Sequence, residues 1–203
     1  MNSRLSKTIL TAIMLVSLSA LAQKELEAGK YNIDPMHSKI GFEVPHLVIS
    51  SVDGTFKKFS GTFTIDEKFE NSKLDAEAQI DSIDTGVEKR DTHLKSPDFF
   101  DAKQFPKMTF KSTALSGKPE SFKLIGDLTI KGKTKKVTFD TKYTGSAVDG
   151  YGNLKAAFIG TAKISRKEFG LNWSQAVEVG PIVGDEITIE LKIQGAQEKA
   201  AKK

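Results

Sequence analysis

The chain of 203 residues contains no cysteine. That removes disulfide frameworks, thiolate metal clusters and cysteine nucleophiles, and leaves stability to a packed body of ordinary side chains. Histidine is scarce as well, and His37, His46 and His93 stand in no HxH, HxxxH or HExxH spacing, so no metal site is expected. A G-x-S-x-G elbow and a glycine-rich phosphate loop are both missing, and none of the 26 acids stands in a recognisable catalytic pair. No cofactor and no catalytic constellation follow from these residues. Proline and glycine are at ordinary levels, with 6 and 16, and 38% of the residues are hydrophobic, which excludes collagen-like and disordered chains.

Long apolar runs are confined to the N-terminus. Arg4 and Lys7 precede the run Ile9 to Leu21, and Ala20-Leu21-Ala22 forms an A-x-A site before Gln23. Residues 1–22 therefore read as a secretory signal peptide, too short for a stable membrane anchor. The expected mature chain has 181 residues and carries 28 cations against 26 acids, a net charge of +2. A nearly neutral chain without a basic stripe has little footprint for nucleic acid.

What remains is dominated by a period of two. Leu74, Ala76, Ala78 and Ile80 alternate with charged or polar residues, and so do Phe122, Leu124, Gly126, Leu128 and Ile130. The pattern returns at Ile40-Val44, Phe59-Ile65, Met108-Phe110, Val137-Tyr143, Phe158-Ile164 and Ile187-Ile193. About eight half-buried strands in one unit, residues 23–194, predict an all-β antiparallel sandwich or closed barrel. The charged outer face, with Lys73, Asp75, Glu77 and Asp127, is wrong for lipid and makes it a soluble barrel. One short helix is expected within Asp84–Lys95, opened by a capping box of Thr85 and Glu88 and stopped at Ser96-Pro97. Residues 195–203 read as a flexible polar tail.

Three segments, Phe59–Ile65, Leu124–Ile130 and Phe158–Ile164, share the plan apolar, any, Gly, any, apolar, any, Ile. Their glycines, with Ala76, Ala78 and Ala162, leave the apolar face rich in small groups. Either these line an open lumen, or Phe and Leu from neighbouring strands fill the gaps. On the helix, Val87, Arg90, Asp91 and Leu94 share a face, which places Arg90 near a barrel mouth, to bind an anionic head group or to pair with Asp98 or Asp101.

The blocks Asp34 with His37-Ser38, Phe42 and His46, Gly54–Phe56, Phe59–Gly61, Ser82–Thr85, Arg90–Asp101, Pro106–Phe110 with Ser112, Gly126–Gly132 and Arg166–Leu171 resemble the YceI family of bacterial polyisoprenoid-binding proteins, over Tyr31 to Ile193. The resemblance implies a lipocalin-like antiparallel barrel, exported to the periplasm and often dimeric. It implies a binding protein without catalysis, holding a long isoprenoid such as a prenyl quinone or prenyl pyrophosphate. The expected ligand-binding residues are then Phe42, Phe63, Ala76, Ala78, Phe110, Gly126, Leu128, Phe158 and Gly160 on the apolar face, with Arg90, Asp91, His93 and Arg166 as polar contacts. His37 matches a further recurrent polar position. Carriage of fatty acids, fatty amides or other amphiphiles, an enzyme acting on such lipids, and a filled barrel serving as a protein-interaction module remain the competing readings.

Overall fold

The computed structural model describes residues 25–177 and 180–199, so the leader expected at 1–22 and residues 200–203 lie outside it. Strands form where β-branched and aromatic residues alternate with polar ones. In chain order they are β1 (Gly29–Ile33), β2 (Lys39–His46), β3 (Ser50–Phe56), β4 (Phe59–Ile65), β5 (Lys73–Gln79) and β6 (Ile83–Asp84). After helix α1 (Glu88–Lys95) come β7 (Lys107–Lys118), β8 (Ser121–Ile130), β9 (Lys133–Val148), β10 (Leu154–Ser165), β11 (Ala176–Val177), β12 (Gly180–Pro181) and β13 (Glu186–Gln197).

All pairings are antiparallel, in the order β1-β4-β5-β7-β8-β9-β10-β13, and β13 returns to β1 to close an eight-stranded barrel. Beyond Gly195–Gln197, where it meets β1, the earlier half of β13 pairs with β2 through Thr188–Lys192. β1 and β2 are therefore two halves of one interrupted barrel strand. β3 runs on into β4 and β5 into β6 in the same way, so that β2-β3-β6 forms a second tier above β1-β4-β5.

Polar side chains repair the interruptions. Ser38 Oγ donates to the carbonyl of Gln194 at 3.1 Å and accepts from Gln194 N at 2.9 Å. At the next break the buried Ser82 Oγ accepts from Lys58 N at 3.0 Å and donates to the carbonyl of Gln79 at 2.7 Å. Each hydroxyl replaces a ladder bond that the kink removes.

The lower tier is filled. Tyr31, fully buried, stacks on Phe63 with centroids 4.9 Å apart, and its hydroxyl donates to the carbonyl of Glu27 at 2.8 Å. Burial, reinforced by the nearby Glu27 and Tyr143, pushes its pKa up to about 12. Phe158 meets Phe63 and Phe122 edge-on, Phe69 meets Phe122, and Phe110 meets Phe139. The glycine plan is thus resolved here by neighbours: a Cβ on Gly126 would stand 2.4 Å from the ring of Phe110, so the glycine makes room for that ring.

Two local expectations change. Helix α1 starts at Glu88 with Val87 as its N-cap, and no side chain caps it. The capping box does not form because Thr85 Oγ1 is committed elsewhere, donating to Asp91 Oδ1 at 2.6 Å. The tail expected from Gly195 begins later, because Gly195, Ala196 and Gln197 pair with Ile33, Asn32 and Tyr31 in closing the barrel. The strand alternation ends too weakly in Gln-Gly-Ala-Gln to reveal that role. Among the described residues no helix is long and apolar enough to cross a membrane.

Candidate ligand-binding site

The upper tier is hollow. Above the packed rings lies a cavity of about 520 Å³, within the roughly 300–1,000 Å³ span of small-molecule sites. One wall is the β2-β3 ribbon, with Ile40, Phe42, Val44, Val52 and Phe56; the facing wall is the upper end of the long strands, with Met108, Ile130, Ile164, Ile187 and Ile189. Helix α1 and the loop after it close a third side with Leu94, Phe99 and Phe100, and Leu171, Trp173, Ile182 and Val183 cover the top. The floor is Phe56, Phe100 and Met108, which also pack on the buried clusters beneath.

Phe42 is held flat by a glycine. Its cross-strand partner is Gly54, whose absent Cβ would overlap the ring at 2.1 Å. Any side chain at Gly54 would swing the ring into the cavity.

The cavity's polar groups are all basic or neutral. His46, Lys89, Arg90, His93 and Arg166 contribute to its lining, and no Asp or Glu does so among the described residues. Arg90 Nε donates to Thr85 Oγ1 at 2.7 Å and Nη2 to the carbonyl of Thr85 at 2.8 Å, while Asp91 Oδ1 accepts from Thr85 N at 3.0 Å. Helix α1 thereby clasps the strand leading into it. Of the two roles expected for Arg90, no carboxylate lies within ion-pair distance of it among the described residues, and the residue is part of the cavity lining.

Arg166, only 3% exposed, is held by carbonyls instead of carboxylates. Nε donates to Gly184 O at 2.8 Å, Nη2 to Val183 O at 3.2 Å, and Nη1 to Leu171 O and Trp173 O. Burial lowers its pKa, and the charge of Asp185 only partly offsets this. The guanidinium pins the crossing segment over the cavity. His93 hydrogen-bonds Asp98 through Nε2 at 2.9 Å and meets Phe99 and Trp173 edge-on, with centroids 5.1 Å away in both cases.

Of the residues singled out from the sequence, Phe42, Arg90, His93 and Arg166 converge on this cavity. Asp91 sits beside it as the acceptor for Thr85. Phe63, Phe158 and Gly160 line a separate small void of about 50 Å³ in the lower tier. Ala76, Ala78, Phe110, Gly126 and Leu128 pack within the filled barrel. His37 lies outside, its side chain 65% exposed and 2.9 Å from Asp34 Oδ2. Val44 was placed on an apolar face but not named as a site residue, and Val52 and Trp173 escaped the sequence reading; the sole tryptophan, three residues past the left-handed Gly170 that ends the Arg166–Phe169 turn, was the available signal. No cluster of three or more His, Asp or Glu suited to a metal ion occurs among the described residues.

A closed eight-stranded barrel with an apolar cavity beneath a basic rim is the architecture of a small-ligand-binding barrel. Residues 31–195 match the YceI-like domain, and the chain belongs to that family. It is 35% identical over 175 residues to Protein YceI of Salmonella newport (strain SL254), covering 85% of this chain and 89% of the relative. Among solved structures, Burkholderia cenocepacia BcnA superposes with a TM-score of 0.71 at 26% identity, over 80% of this chain and 98% of that one. The Campylobacter jejuni YCEI protein gives 0.66 at 31% identity, over 76% and 90%. A polyisoprenoid-binding domain from Saccharophagus degradans shares the fold, with a TM-score of 0.59 at 10% identity over 85% and 100%.

Proposed function

We propose that the protein is an exported, periplasmic carrier of a long isoprenoid lipid, a prenyl quinone or prenyl pyrophosphate. The tail lies in the upper-tier cavity and the head group at the rim beside Arg90. The observation that carries this reading is the pairing of an apolar 520 Å³ cavity with a rim of basic groups and no lining carboxylate. Each CH₂ withdrawn from water contributes about 0.8 kcal/mol, so part of a prenyl tail suffices for micromolar binding. A guanidinium at the rim orients an anionic head by charge-assisted hydrogen bonds. The description of the Saccharophagus degradans domain as polyisoprenoid-binding supports the same ligand class.

The lining favours binding over catalysis. Among the described residues it offers no carboxylate, and Arg166 is engaged by four carbonyls, so its groups are arranged to hold the walls in place. A fatty acid is the competing occupant, since an apolar wall separates chains of similar width poorly.

The test uses Trp173, the sole tryptophan and a lining residue. Delipidated mature protein is titrated with farnesyl and geranylgeranyl diphosphate, a prenyl quinone and palmitate while its emission is followed. Saturation near one equivalent, tighter for the prenyl ligands, is expected; an unchanged spectrum with every ligand, or tighter binding of palmitate, contradicts the proposal.

A further inference from the structure

The tip of the β2-β3 hairpin violates the chemistry of its own turn. His46 O accepts from Ile49 N at 3.3 Å, and the two central residues, Leu47 and Val48, have φ of +53° and +64°. Positive φ at both positions is the pattern of a turn that normally takes Asn-Gly, and for a β-branched residue such as Val48 it is an outlier. The tip gains no core in exchange, because Val48 is 70% and Ile49 84% exposed. The strained backbone is nevertheless anchored, with Leu47 N donating to Ile182 O at 3.0 Å and Gly184 N to Pro45 O at 2.8 Å. Two apolar side chains, Val48 and Ile49, are thus held out in water at a cost to folding, with the half-buried Leu47 beside them.

Their position gives the reason. His46 and Val52, which flank the tip, line the cavity, and Val87 across the mouth is also apolar, 46% exposed and part of the lining. We propose that the hairpin tip Leu47-Val48-Ile49 docks on an anionic lipid bilayer, bringing the cavity mouth against the membrane from which its occupant is drawn. The inference rests on the carrier reading above. A flat protein partner fits poorly, since a stable interface takes about 800 Å² from each side and this is a narrow wedge. Charge agrees with an anionic surface: Lys89 and Arg90 of helix α1 contribute cations to the cavity lining. The acids of the hairpin, the cross-strand pair Glu43 and Asp53, stand three residues below, roughly 10 Å back along the strands. On the helical side the exposed acids are Glu88, on the first turn of α1 beside Lys89, and Asp98, which is tied to His93.

The experiment floats delipidated mature protein with sealed vesicles of 3:1 phosphatidylethanolamine to phosphatidylglycerol, and with pure phosphatidylcholine vesicles. Farnesyl diphosphate binding is measured separately by Trp173 emission without vesicles. The parent protein is expected to partition onto the anionic vesicles. The double variant Leu47→Asn, Val48→Gly, which supplies the residues the turn prefers, should melt at or above the parent temperature and bind farnesyl diphosphate unchanged, yet lose at least tenfold in vesicle partition. Ile49→Asp should lose as much without relieving the turn. Partition without farnesyl diphosphate binding leaves docking standing and removes the carrier reading. Farnesyl diphosphate binding without partition, equal partition onto both vesicle types, or a double variant that partitions like the parent overturns the docking proposal.

Discussion

Arg90 and Thr85 are joined twice, through Nε to the threonine hydroxyl at 2.7 Å and through Nη2 to its carbonyl at 2.8 Å. The same arginine therefore fastens helix α1 to Thr85, the residue after β6, and lines the cavity. Substitutions separate the two tasks. Arg90→Ala should weaken a prenyl diphosphate more than a neutral prenyl quinone, by ~1.5–3 kcal/mol, the worth of a charge-assisted contact. Thr85→Val keeps the guanidinium but removes its hydroxyl partner, and should lower stability with little discrimination between ligands. Calorimetric titration with both ligands reads the difference; equal losses for the two ligands in Arg90→Ala would leave only the fastening role.

The crossing segment above the cavity depends on Arg166. Arg166→Met leaves the carbonyls of Leu171, Trp173, Val183 and Gly184 without their donor. At ~1–3 kcal/mol for each unsatisfied buried group, a loss of about 3 kcal/mol or more is expected. Lysine lacks the planar fork and should rescue little of it. Urea denaturation measures the loss, and limited proteolysis should show faster cleavage within residues 171–184.

Filled and hollow tiers respond oppositely to added bulk. Ala78 is 2% exposed among packed side chains, so Ala78→Phe should cost ~1–3 kcal/mol by overpacking. Val44 faces the cavity, and Val44→Phe should change melting of the delipidated protein little while abolishing prenyl-lipid binding. Melting curves and the Trp173 titration decide this; the reverse pattern would place the ligand in the lower tier.

The Asp34 carboxylate is held below the ordinary aspartate pKa: burial pushes it up, but hydrogen bonds from His37, Lys155 and the Met36 amide, with the charge of Lys155, outweigh that. A carboxyl lowered on folding contributes stability above its unfolded value, and the contribution is lost as pH falls from about 3.9 toward the folded value. Asp34→Asn should remove that part of the acid dependence, so that melting declines less steeply below pH 4 than in the parent, while the lowered carboxyls of Asp84, Asp149 and Glu198 keep the remainder. Parallel curves would show that Asp34 is not the group responsible.

The alternation was enough to place eight strands, because a period of two assigns each residue a face, and the helix was read where that period breaks before Ser96-Pro97. β1 and β3 were missed for physical reasons: Gly29–Ile33 has only Tyr31 and Ile33 as apolar markers, and Ser50–Phe56 contains Asp53-Gly54, a pair that reads as a turn. The site was less legible. A strand pattern says which face is inside but not which end of the barrel is hollow, so Ala78 and Val44 looked equivalent. The packing of Phe110 over Gly126 belongs to cross-strand geometry, which periodicity does not contain. Arg90 was found from its place on a helix face with Val87, Asp91 and Leu94, whereas His93 and Arg166 came from the family resemblance and not from the pattern of the strands.

The central claim is that the upper-tier cavity carries a prenyl lipid, and the most direct measurement is the mass of what it holds. Protein purified without detergent from its native envelope is extracted with organic solvent, and the extract is identified by mass spectrometry beside that of Val44→Phe. The account predicts one intact prenyl quinone or prenyl diphosphate per protein chain, and none from the variant. An empty extract, a chemically altered lipid, or the same lipid from both proteins would contradict it.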